Sequence, residues 1–161
     1  MDPLNFLPFA SIQTALLIFL TKTIVNLKFY LKDYLFSLGL IILSTLMYFF
    51  LGNSFLLFLV ALLIIFFYRK IKLYSIIVVL ISNLIMYLTN FISVIFYLTA
   101  KNTIENNIIV FISYFIVFIT LAIILGYFIK FLFTKLKESY LSINTTYITV
   151  IVLVLAISFM F

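Results

Sequence analysis

Long apolar runs separated by short polar connections make up this chain, and the connections alternate in charge. Lys22, Lys28 and Lys32 form one basic cluster, Arg69, Lys70 and Lys72 a second, and Lys130, Lys135 and Lys137 a third. Of the 10 Lys and Arg, these clusters hold all but Lys101. Between them lie Gly52-Asn53-Ser54, which is uncharged, and residues 101–107, where Lys101 and Glu105 cancel. Short loops rich in Lys and Arg stay on the cytoplasmic side of a membrane. The alternation therefore predicts an all-α, polytopic transmembrane helix bundle with its N-terminus outside. The opposite orientation would place every cluster outside and Lys101 alone inside.

Composition points the same way. The chain is 68% hydrophobic and 9% charged, with a mean hydropathy of +1.43, far from the balance of a soluble domain. At roughly 20 residues per span, about six spans nearly exhaust the 161 residues, so 1–161 reads as a single transmembrane domain with no soluble domain. The net charge of +6 would suggest nucleic acid in a soluble protein. Here the charge flanks the spans, where topology and anionic lipid account for it, so the expected partner is the bilayer and no nucleic acid. Zero cysteines exclude disulfides and thiolate chemistry, and zero histidines remove the commonest general base and metal ligand. Neither a metal nor a cofactor is expected. The abundance of Phe, Tyr, Ile, Lys and Asn fits AT-rich codons and a low-GC bacterial genome.

The apolar runs are residues 4–21, 34–51, 55–68, 73–100, 108–127 and 145–161. The first is too long, and its flanks too poor in basic residues, for a cleaved signal peptide. Gly52-Asn53-Ser54 carries the Gly-Asn pair of a tight reversal. The third run is short for a span, so Arg69 and Lys70 must snorkel or the helix must take in Asn53 and Ser54. The fourth exceeds a bilayer core and must tilt or project, and the fifth is expected to continue as helix through Lys137. On these boundaries the chain also stops outside.

The spans are nearly free of ionisable groups, since Asp33, Glu105 and Glu138 all fall in connections or interfaces. Ion pumps and proton-coupled carriers carry such groups in the membrane, so transport is disfavoured except for a neutral solute. The most polar stripe lies on the fourth helix. Asn83, Tyr87, Asn90 and Tyr97 recur at helical spacing on one face, either as a pocket wall or signalling seam or as ordinary interhelical hydrogen bonding. Ala122 and Gly126 form a small-xxx-small pair that lets another helix approach, within the subunit or across a possible homodimer. No Ser-His-Asp set, phosphate loop or paired carboxylates occur, so no enzymatic chemistry is expected.

Lys70-Ile71-Lys72-Leu73-Tyr74-Ser75-Ile76 opens a long helix that continues through Asn83, Met86-Tyr87 and Asn90. A short polar loop follows, then a fifth helix ending in Tyr127-Phe128-Ile129-Lys130, and a connection from Lys135 to Leu141. This order resembles the membrane sensor half of AgrC-type quorum-sensing receptor histidine kinases of Gram-positive bacteria, from about the second helix onward. The resemblance implies two-component signal transduction and recognition of a short cyclic autoinducing peptide by outer loops and helix ends. The chain departs from that family in having no His, no kinase motifs and no returning seventh helix. Either it is a truncated product or fragment of a receptor, or it is a stand-alone sensor-like membrane protein.

Two functions therefore stand: a peptide-pheromone sensor module without kinase activity, or a small permease or accessory transporter subunit for a neutral or apolar solute. For the sensor, a peptide entering from outside would meet Asn53, Ser54, Tyr97, Lys101, Asn102, Glu105, Asn106 and Asn107. Phe50, Phe55, Tyr97 and Ile108 would supply apolar walls.

Overall fold

The computed structural model describes residues 7–102 and 107–138. Five α-helices run through them: α1 (Leu7–Val25), α2 (Leu31–Leu51), α3 (Phe55–Ile71), α4 (Tyr74–Lys101) and α5 (Asn107–Glu138), with a single 3₁₀ turn, Gly52–Ser54, between α2 and α3. The sixth apolar run, residues 145–161, lies outside the described residues.

Local chemistry sets the helix ends. Pro8 falls in the first turn of α1, where its missing N–H has no intrahelical partner to lose. At the other end Asn26 adopts φ +57°, the left-handed conformation that Asn tolerates. There Leu27 N–H reaches Lys22 O at 3.0 Å and closes the terminal turn. In the first turn of α2, Asp33 takes the Tyr30 N–H at 2.8 Å. Gly52 ends α2 at φ +56°, a conformation that a side chain disfavours. The α3–α4 reversal is tight, and Lys72 stands in it at φ +50°. Consequently the stretch 70–76 does not open α4 as a unit. It covers the end of α3, the reversal at Lys72-Leu73 and the first turn of α4.

α3 has 17 residues because the helix carries on through Arg69, Lys70 and Ile71, making about 25 Å of rod. α4 has 28 residues, as its apolar run requires, and α5 continues unbroken past Tyr127 to Glu138. Leu31–Leu51, Tyr74–Lys101 and 108–134 are each long and apolar enough to cross a membrane.

α1 and α4 form the centre. α1 packs on α2, α4 and α5, while α4 packs on α1, α3 and α5. The stripe Ala10, Thr14, Leu17, Thr21 and Ile24 buries one face of α1 at alternating spacings of four and three. Phe55, Leu59, Leu63 and Phe67 bury a face of α3 at intervals of four. On α5 the buried ridge is Val110, Tyr114, Phe118 and Ala122, continued by Gly126. On α4 the small polar residues Ser75, Ser82 and Thr89 recur every seven positions and are wholly buried. Their size lets α1 come close, and Thr21 Oγ1 lies 3.1 Å from Ser82 Oγ. Between α1 and α2, Thr14 Oγ1 and Ser44 Oγ are 2.7 Å apart.

The outward surface is largely apolar. On α2 alone, Leu31, Leu35, Leu38, Ile42, Leu46, Phe49 and Phe50 are exposed. Water does not favour so continuous a face, whereas hydrocarbon does.

Candidate functional site

The basic clusters meet at one end of the bundle. Lys70 Nζ pairs with Asp33 Oδ2 at 2.6 Å, joining the end of α3 to the start of α2. Lys22 Nζ donates to Tyr34 Oη at 2.9 Å, and Lys130 Nζ reaches Asn26 Oδ1 at 3.0 Å, tying α5 to the end of α1. Phe29 sits between two cations, with Lys22 Nζ 4.9 Å and Lys70 Nζ 5.3 Å from its ring centre. Asp33 is therefore a local organiser: it holds the first turn of α2 and anchors Lys70.

Chain direction then assigns the other end. α2 leaves the basic end and α3 returns to it, so Gly52–Ser54 lies at the opposite end. α4 also leaves it and α5 returns, which puts Asn102 at that opposite end together with the start of α1. Ser54, Lys101 and Asn102 are exposed there. The backbone of Asn53 belongs to the 3₁₀ turn and Asn107 begins α5, while Glu105 and Asn106 lie outside the described residues. Of the proposed apolar walls, Phe50 and Ile108 are exposed. Phe55 is not available: it is 1% exposed, its ring edge-on to Tyr48 at 5.1 Å, because it opens the buried ridge of α3.

The polar stripe of α4 divides along its length. Near the neutral end, Tyr97 meets the Tyr114 ring at 6.2 Å, and the Tyr114 hydroxyl donates to Asn90 Oδ1 at 2.6 Å. This is interhelical bonding between α4 and α5. Deeper in, Asn83, Tyr87 and Asn90 line a cavity of about 10 Å³ together with Gln13, Leu17, Leu56 and Met86. Asn83 is buried and Tyr87 is exposed along the outer side of α4.

Gln13 escaped the sequence reading. It is the chain's single glutamine, set in the first apolar run. An isolated amide in an otherwise apolar run is a usable signal. Gly126 faces α1 of the same chain, where a Cβ would stand 2.5 Å from Leu20 Cδ2, and Ala122 is buried on the same ridge of α5.

Among the described residues, the fold and site thus define an all-helical bundle with three helices of membrane-spanning length. Comparison with protein-family models, curated proteins and solved structures finds no match to this chain.

Proposed function

We propose that this chain is a multi-pass sensor module of the cell membrane, similar to the sensor half of AgrC-type receptors. It crosses the bilayer about six times with its N-terminus outside, and has no catalytic role of its own. Its ligand is a small extracellular cyclic peptide, met at the neutral end. The observation that carries the reading is the convergence of Lys22, Lys70 and Lys130 at one end of the bundle. By the distribution of basic residues that end is cytoplasmic, which turns Ser54, Lys101 and Asn102 outward.

Among the described residues, the cleft beside Gln13 offers about 10 Å³ of water-sized space, below the few hundred Å³ of a site for an organic solute.

Exchanging residues 52–54 and 101–107 with those of a related receptor should exchange peptide preference, because few contacts set a difference of affinities. The measurement is peptide binding to the full chain in nanodiscs. Unchanged preference with intact expression would defeat the sensor reading and favour a permease for a neutral solute.

A further inference from the structure

The cations at the basic end fall into two groups. Lys22, Lys70 and Lys130 are engaged inside the chain, by Tyr34, Asp33 and Asn26. Lys28, Lys32, Arg69 and Lys72 are exposed, and their side chains have no hydrogen bond or ion pair among the described residues. Topology requires only that these charges lie on one side of the membrane. It leaves unspecified their gathering on a single corner, made by the α1–α2 connection, the first turn of α2, the last turn of α3 and the α3–α4 reversal. The Lys70–Asp33 pair draws this corner together, since Lys32 adjoins Asp33 and Arg69 adjoins Lys70.

Below the corner the surface turns apolar. Lys32, Phe36, Gly39 and Leu43 follow one another at spacings of four, three and four, so they line one strip of α2. Phe36 is half exposed and stacks on Phe66 of α3 at 4.9 Å, the rings 6° from parallel. Lys32 stands one turn from Phe36 on the basic side, and Arg69 stands three residues from Phe66 on the same side. Each of the two helices thus carries an unpaired cation on the basic side of the stacked rings. Next along the strip, a Cβ at Gly39 would meet nothing within 4 Å, so the surface is open there. The exposed Leu43 continues it. From Lys32 to Leu43 the strip runs about 16 Å, close to one leaflet of a bilayer core of about 30 Å.

A ligand for this surface must present an anion at the corner and hydrocarbon along the strip. A free anion would leave the apolar strip uncovered, and an acidic soluble segment has no chain to lay along it. We propose that the α2–α3 corner binds an anionic phospholipid, its headgroup between Lys32 and Arg69 and one acyl chain along Phe36, Gly39 and Leu43. Lys28 and Lys72 add to the field that attracts the headgroup. The proposal rests on the basic end lying at a membrane surface, and is independent of which ligand the neutral end takes.

The test is native mass spectrometry of the full chain in a neutral detergent, with phosphatidylglycerol and phosphatidylcholine of matched chains as probes. One phosphatidylglycerol should stay bound where phosphatidylcholine does not. The double variant Lys32→Gln, Arg69→Gln should weaken it roughly thirtyfold, from two cations at about fivefold each. Both side chains are exposed and unpaired, so the fold should not depend on them. Lys101→Gln, at the opposite end, should change nothing. Gly39→Leu keeps every charge and fills the open part of the strip, so it should weaken phosphatidylglycerol several-fold with helicity intact by circular dichroism. Equal retention of the two lipids would overturn the proposal, as would an equal loss in Lys101→Gln or full retention in Gly39→Leu. Displacement of the lipid by inorganic phosphate would also contradict it, marking a bare anion site.

Discussion

Leu20 and Gly126 show how closely single residues constrain this bundle. The methyl Cδ2 of Leu20 occupies the space that a Cβ at Gly126 would need, 2.5 Å away. Because that methyl ends a flexible side chain, Gly126→Ala should cost only about 1 kcal/mol, and Gly126→Leu about 3 kcal/mol, by overpacking. Unfolding equilibria in detergent measure both, and Leu20→Ala should relieve much of the second cost. Undiminished stability in Gly126→Leu would show that α1 and α5 do not meet there. Asp33 offers a second case. Asp33→Ala removes both the Tyr30 N–H acceptor and the partner of Lys70, and should destabilise by about 1–2 kcal/mol. Asp33→Asn, which keeps an acceptor for Tyr30, should lose less. The small-xxx-small pair was legible in the sequence, but its partner was not: spacing reveals that a helix can be approached, never by which neighbour.

At the scale of elements, the helices and their lengths were largely legible. Apolar length and basic flanks carry that information directly, as in α4 with its 28 residues and in the continuation of α5. Pairing was not. The buried threonines and serines that join α1 to α2 and α4 look like ordinary helix residues in one dimension, and only packing shows Thr14 beside Ser44 and Thr21 beside Ser82. The stripe on α4 was visible as a face, yet its division into a bond to α5 and a cavity wall depends on Tyr114 and Gln13, which come from other helices. For Tyr114→Phe we expect a loss of about 0.6 kcal/mol, the average of interhelical hydrogen bonds in membranes, and at most about 1.7 kcal/mol, since Asn90 Oδ1 loses a 2.6 Å donor. A double-mutant cycle with Asn90→Leu isolates that term. A coupling of zero would mean the two side chains do not bond.

At the scale of the whole molecule, the two ends of the bundle differ in character. Phosphotransfer of the histidine-kinase kind needs a histidine acceptor, and the sequence has none, so purified chain should take no label from ATP with or without peptide. Orientation is the more central matter, because the proposed sensor reading requires the neutral connections to face outward. The absence of cysteine makes it directly measurable, since each introduced thiol is the chain's only one. Single cysteines at Ser54, Asn102, Lys28 and Lys72 can be treated with a membrane-impermeant maleimide in intact cells and again after permeabilisation. The account predicts labelling of Ser54→Cys and Asn102→Cys in intact cells, and of Lys28→Cys and Lys72→Cys only after permeabilisation; the reverse pattern, or both ends labelling from the same side, would contradict it.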